Sequence, residues 1–568
     1  MRRFLAAAAA ALLLGAPAQA QSITGDWIGD FTISPSLVRN LAVHIQATPD
    51  GFAGTLDSVG EGNYDMPLTD IKLTGDQLGY AVPAVKAEYR ASWDAASGRW
   101  LGQWLQPGNP PREMDMAPGV RPPHPTIEGL DGDWDGAIDT KIMGRLRVAF
   151  HIATGPHGTI GKFDSIDRQV NDLPVTLIGR EGDAVQLEIG IVRASFAGTL
   201  DPAKATLSGN WNQMGFSLPL VLNRRAEGAA QPTLNRPQTP LPPFPYQVEK
   251  VSFPSKAGGV TLAGTLTLPA GNGPFPAAVL IAGSGPNTRD EPILGHQIFL
   301  VLADHLTRHG IAVLRYDKRG TGQSTGDYDK ATTPDFADDA EAALDYLAQR
   351  KEIDPHHAGL IGHSEGGLIA PMVAARDKAA SFVVALAGPG VNGADILKEQ
   401  GRLILAATGM PPDELEADTR RRNQAIDIVR DEKDPAAAAA KLRVALLDTA
   451  KADAKPEEAV QQGIQVINTD WFRFFFNYDP APAWHALTCP VLALIGSKDL
   501  QVPPDQNLPA LRAALAGNSR AEIEQLPGLN HLFQTASSGS PMEYGRIEET
   551  MAPAALDKVA DWVRHQPE

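Results

Sequence analysis

Between about residues 25 and 225, apolar and polar positions alternate in short runs, such as Leu41-Ala42-Val43-His44-Ile45 and Ala184-Val185-Gln186-Leu187-Glu188-Ile189. A period of two places the apolar side chains on one face of a strand. Turn residues separate the runs, as in Thr74-Gly75-Asp76 and Glu181-Gly182-Asp183, which is the spacing of an antiparallel all-β region. After residue 247 the pattern changes. Continuous apolar runs (Ala277–Ala282, Ile311–Leu314, Ala358–Ile361, Phe382–Leu386, Val491–Ile495) alternate with helical stretches such as Phe336–Arg350. Strands that are apolar on both faces predict a mostly parallel sheet covered by helices on each side. The rhythm breaks between about Asn392 and Asp470, a helix-forming stretch without a strand. Inserted between two sheet strands, it predicts a helical cap over the carboxyl edge, where such sheets bind ligands.

The alternating region repeats itself. At a constant offset of 107, Trp27 matches Trp134, Gly29 Gly136, His44 His151, Asp57 Asp164, Gly75 Gly182 and Trp104 Trp211. Unrelated residues agree about one time in fifteen on ordinary composition, so the pattern reads as a duplication. The shared Trp and Gly positions are expected in cores and turns rather than at a ligand. Two copies are too few for a β-propeller, so two small barrels or sandwiches are expected. Pro-rich stretches at 107–125 and 231–245 read as connections, since proline cannot continue a sheet. The expected order is a leader at 1–20, β domains at 21–118 and 126–225, a linker at 226–246, and an α/β domain at 247–568 with its cap at about 392–470.

Composition narrows the partners. The chain has 50 basic and 67 acidic residues, a formal charge of −17. That balance repels phosphate, so neither nucleic acid nor an anionic membrane surface is expected as a partner. Arg2 and Arg3, an apolar run from Phe4 to Leu14 and Ala18-Gln19-Ala20 predict a signal peptide cleaved after Ala20. The run is shorter than the roughly 20 residues a membrane span needs. A periplasmic or secreted protein without stable membrane insertion is therefore expected. The single cysteine, Cys489, cannot close an intramolecular disulfide or supply a thiolate metal cluster.

A G-x-S-x-G pattern occurs twice, at Gly322–Gly326 and at Gly362–Gly366. A nucleophile elbow must follow a strand and open directly into a helix. Ser364 has that setting, after Ile361 and before the helix-compatible Gly367–Arg376; Ser324 runs into loop sequence. Gly362 and Gly366 supply the small flanks that let strand and helix pass closely. The backbone N–H of Glu365, at a helix start, is one expected oxyanion donor. The N–H of Ser284, in Gly283-Ser284-Gly285-Pro286, is the expected second. In this fold an acid and then a histidine follow the serine. Asp499, in Gly496-Ser497-Lys498-Asp499, and His531, in Pro527-Gly528-Leu529-Asn530-His531, fill that order. His363, beside the serine, is expected to pack or bond locally, and Asp505 is the alternative acid.

Ile281-Ala282-Gly283-Ser284-Gly285-Pro286, Arg315-Tyr316-Asp317-Lys318-Arg319-Gly320, Gly362-His363-Ser364-Glu365-Gly366-Gly367 and Gly496-Ser497-Lys498-Asp499 together resemble α/β-hydrolase esterases of the EstD-like group. That group borders the serine aminopeptidase-like hydrolases. The resemblance spans about residues 248–565. It implies a carboxylesterase triad of Ser364, Asp499 and His531, with Asp317 and Arg319 holding loop architecture.

The expected activity is hydrolysis of a small-molecule carboxylic ester through an acyl-serine, with no cofactor and no metal. A serine peptidase on the same fold is one alternative. A polymer-binding protein, whose β repeats contact carbohydrate or cell wall beside a weakly active hydrolase, is another. The aromatic run Trp471–Phe476 reads equally as a pocket wall or as cap packing.

Overall fold

The computed structural model describes residues 22–566 except 35–36, 62, 108–110, 122, 141–143, 169, 214–215, 257–258 and 451–455. The expected leader, 1–20, therefore lies outside the described residues. The chain forms two compact units, one mainly before residue 231 and one mainly after it.

The first unit holds two antiparallel sheets, of ten and nine strands, whose main paths share one strand order. Each curls until its ends meet: Leu68 N–H donates to the Gly54 carbonyl and Val175 N–H to that of Gly161, both at 2.9 Å. The interiors are filled. Trp27, Tyr89, Trp100 and Trp104 pack in one, and Trp134, Phe150, Phe196 and Trp211 in the other. The offset of 107 carries the polar contacts as well. His44 lies between Asp26 and Asp57 at 2.7 and 3.1 Å, and His151 lies between Asp133 and Asp164 at 2.7 and 3.0 Å. Burial works against the charge on each imidazole, but the two flanking carboxylates outweigh it and raise the pKa.

The second unit is built on an eight-stranded sheet: β1 (Gln247–Pro254), β2 (Thr261–Leu268), β3 (Phe275–Ile281), β4 (Ala312–Tyr316), β5 (Ile353–His363), β6 (Val383–Leu386), β7 (Val491–Gly496) and β8 (Ala521–Leu526). Their spatial order is β1-β2-β4-β3-β5-β6-β7-β8. β2 pairs antiparallel with β1 on one side and with β4 on the other; every other pair is parallel. The twofold period of β3 divides its side chains between two cores. Val279 and Ile281 pack with α2 (Thr333–Ala348) and α3 (Glu365–Arg376), whereas Ala278 and Leu280 pack with α1 (Ile298–Arg308) and with the last helix, Pro553–Arg564. Thr332 and Asp335 form a reciprocal capping box that starts α2, which fixes where the chain leaves the loop.

Among the described residues six helices lie between β6 and β7, the first five being α4 (Gly393–Ala407), α5 (Pro412–Asp431), α6 (Pro435–Ala450), α7 (Pro456–Ile467) and α8 (Asp470–Asn477). They share a small core around Ile426, Val429, Leu442, Val460 and Phe476. After them come α9 (Ala481–His485), α10 (Pro504–Ala514) and α11, the last helix.

The Pro-rich segment, read as a connection, is fastened to the second unit. Arg236 donates to the carbonyls of Leu294, Gly545 and Ile547, and Gln238 bonds the backbone of Thr550 and Met551. Proline content reports stiffness and carries no information about what a stiff segment lies against. Among the described residues, no helix is long and apolar enough to cross a membrane.

Candidate active site

Ser364 is the joint between β5 and α3, at φ 53° and ψ −117°. A non-glycine residue there stores backbone strain of about 1–3 kcal/mol, which persists only where its surroundings impose it. Here they do. Ser364 N–H donates to the Leu386 carbonyl at 2.9 Å, and its own carbonyl accepts from Gly367 N–H at 2.9 Å. A Cβ on Gly362 would overlap the Gly366 carbonyl, and one on Gly366 would overlap the Ile281 carbonyl. Both glycines are thus required by close approach of backbone, as their spacing predicts.

Asp499 stands just beyond β7 and is 1% exposed. One carboxylate oxygen accepts from the N–H groups of Gln501 and Val502, each at 2.8 Å, and the other faces His531 Nδ1 at 2.8 Å. This fixes the proton on Nδ1 and leaves Nε2 as the lone-pair nitrogen. Ser364, His531, Ser284 and Glu365 all line one cavity of about 400 Å³. Among the described residues no hydrogen bond links Ser364 Oγ to His531, a looseness common before substrate is bound. Asp505, the alternative acid, is instead in the first turn of α10. Ser324 is occupied elsewhere: its hydroxyl donates to the Asp317 carbonyl at 2.7 Å and accepts from Ala263 N–H at 2.9 Å.

Several side chains of the site make contacts that no sequence pattern marks. Glu365 turns its carboxylate inward, where it accepts from Lys318 Nζ at 3.0 Å, Thr333 Oγ1 at 2.8 Å and Trp471 Nε1 at 2.7 Å. Lys318 also donates to the Gly283 carbonyl at 2.7 Å. One buried ion pair thereby ties the turn at Ser364, the loop at Gly283 and the cap together. His363 does more than bond locally. Its Nε2 meets the His531 carbonyl at 3.1 Å and its Nδ1 meets Glu291 at 3.0 Å, and the same Glu291 oxygen accepts from Gly283 N–H at 2.7 Å. Nearby, Asp317 holds Arg289 through both oxygens, and Arg319 holds Asp339 through two nitrogens. Burial works to raise the Asp317 pKa, but Arg289 and two backbone N–H groups outweigh it and lower it. Trp471, Phe472 and Phe475 of α8 line the cavity, while Phe476 packs inside the cap. The aromatic run serves both of its readings.

Residues 278–540 match a family model described as the alpha/beta hydrolase family. The C-terminal part has the alpha/beta hydrolase fold. Over 325 residues the chain is 28% identical to esterase EstD of Thermotoga maritima, an alignment covering 56% of this chain and 70% of that protein. Solved structures similar to it include an esterase of Pyrococcus furiosus, at 16% identity and TM-score 0.33, covering 50% of this chain and 83% of that one. Another is Est1E of Butyrivibrio proteoclasticus with bound ferulic acid, at 16% identity and TM-score 0.32, covering 55% and 96%. The resemblance to EstD-like esterases read from the motifs holds over this part of the chain.

Proposed function

We propose that the protein hydrolyses neutral carboxylic esters through an acyl-enzyme on Ser364. The observation that carries this reading is a strained serine at a strand-to-helix turn, lining one cavity with a histidine whose Nδ1 is held by a buried aspartate. In this reading His531 Nε2 takes the Ser364 proton as the hydroxyl attacks the ester carbonyl. Charge on that oxygen develops toward the N–H groups of Glu365 and Ser284. His531 then returns the proton to the departing alcohol. Water attacks the acyl-serine with His531 again as base, releasing the acid and regenerating Ser364.

Two carboxylates line the cavity: Glu365 has both oxygens engaged, by Lys318, Thr333 and Trp471, which leaves Asp329 at the wall as the one that would meet a substrate ammonium in the peptidase reading. The remaining walls include Tyr328, Ile396, Leu397, Trp471, Phe472 and Phe475, without lysine or arginine, which disfavours anionic substrates. A volume near the small end of the roughly 300–1,000 Å³ usual for ligand pockets suits short acyl chains. The mature protein is expected to turn over p-nitrophenyl butyrate at least about tenfold better than the palmitate ester, a discrimination of ~1.4 kcal/mol. A fluorophosphonate should add once, on the peptide containing Ser364. A label on Ser324, or none, would sink the assignment.

The Arg2-to-Ala20 pattern supports export with cleavage after Ala20, and amino-terminal sequencing of the protein recovered outside the cytoplasm tests it. The shared strand order and the matched Asp–His–Asp contacts support an origin of the β region by duplication.

A further inference from the structure

A cluster of metal-ligating side chains lies outside the site described above, where α1 meets α11. His305 and His309 are four residues apart, so they project from one face of α1 and its C-terminal cap. Their rings are 4.2 Å apart at 32°. Asp557, from α11, brings a carboxylate oxygen to 3.1 Å from His305 Nε2. One donor atom from each of the three residues lies within 4.8 Å of the other two.

Two details make this more than a surface ion pair. His309 Nδ1 is 2.7 Å from the His305 carbonyl. A carbonyl only accepts, so the proton is on Nδ1 and Nε2 carries the lone pair. His305 Nε2 is buried and makes no hydrogen bond of acceptable geometry, although the Asp557 carboxylate is close. The Nε2 axis is therefore not aimed at that carboxylate.

We propose that His305, His309 and Asp557 form a binding site for a borderline divalent cation of the Zn²⁺, Ni²⁺ or Cu²⁺ kind. Two imidazoles and one carboxylate match those ions, whereas Mg²⁺ and Ca²⁺ favour oxygen ligands. The exposed Asp557 leaves water to complete the coordination, as expected of a site with three protein ligands. The ion would bridge α1 to α11, two helices that pack on the same face of the sheet. It takes no part in ester hydrolysis, so the site stands or falls independently of the catalytic reading.

The test is a calorimetric titration of tag-free, chelator-stripped full-length mature protein with ZnCl₂, beside MgCl₂, together with thermal melts. One saturable Zn²⁺ site is expected, with a melting transition raised by about 3–8 °C at Zn²⁺ a hundredfold above its Kd. Mg²⁺ should do neither. His309→Ala should abolish the site and Asp557→Asn should weaken it at least tenfold. Asp557 is exposed, so the second variant reports on binding even if the first folds poorly. Ester turnover should stay within about twofold in Asp557→Asn, with or without Zn²⁺. No saturable Zn²⁺ binding, or binding undiminished in both variants, overturns the proposal.

Discussion

Ser364→Ala is expected to lower kcat/KM for p-nitrophenyl butyrate by about 10⁴-fold or more, with an unchanged fold. The magnitude follows from what the hydroxyl does. Without a nucleophile there is no acyl-enzyme, and only oxyanion stabilisation and substrate binding remain to accelerate attack by water. The fold should tolerate the change. Alanine meets the same positive φ as serine, and the two hydrogen bonds that fix this turn use backbone atoms of residue 364. Ser324→Ala provides the contrast. It removes a buried hydroxyl that joins the Asp317 carbonyl to Ala263 N–H. That should cost about 1–3 kcal/mol of stability, while kcat in the folded protein stays within a few-fold. Stopped assays with circular dichroism melts separate the two. A Ser364→Ala protein that retains turnover, or a Ser324→Ala protein that folds but loses it, would reverse the assignment of the two G-x-S-x-G segments.

The setting of Ser364 was legible because elbows are local: strand, glycine, serine, glycine and helix fall within about ten residues, and each has its own pattern. The positions of Asp499 and His531 were legible from chain order and from their places after apolar strand runs. Glu291 was not. It is 72 residues from His363, sits in a loop without periodicity, and looks like any solvated acid in sequence. Its φ of 47° has no sequence marker, since glutamate is not a residue that favours that region. Lys318 and Trp471 share this difficulty: charged or aromatic residues in loops and caps acquire a role only through what the tertiary fold puts beside them. The two sheets of the first unit show the opposite case. There the period-two alternation and the turn residues define strands directly, because most strands pair with a sequence neighbour.

Glu291→Gln is expected to give the largest loss of stability in the catalytic unit, about 3–5 kcal/mol, together with a fall in kcat of about 10²-fold. His363 is 2% exposed and Glu291 1%. The His531 carbonyl requires a proton on His363 Nε2, and the Glu291 carboxylate requires one on Nδ1, so the ring is an imidazolium. Burial opposes that charge; Glu291, the His531 carbonyl and Asp499 outweigh it and raise the pKa. A raised folded pKa contributes stability that is fully present below the unfolded value of about 6.5 and is lost as pH climbs through the folded value. In Glu291→Gln the imidazolium keeps its burial and loses its counter-charge. Its folded pKa drops below the unfolded one, so the variant loses stability as pH falls. The difference in unfolding free energy between wild type and variant should therefore widen from pH 9 to pH 5, as urea melts would show. The kinetic effect has a separate origin. Glu291 holds Gly283 N–H beside the expected oxyanion donor, and through His363 it holds the His531 backbone. Both catalytic loops are thus referenced to one carboxylate. Loosening it should lower kcat with KM little changed, because the apolar cavity that binds the ester is left intact. A variant whose stability deficit is the same at every pH, or whose kcat is normal once folded, would show that the pair is ordinary packing.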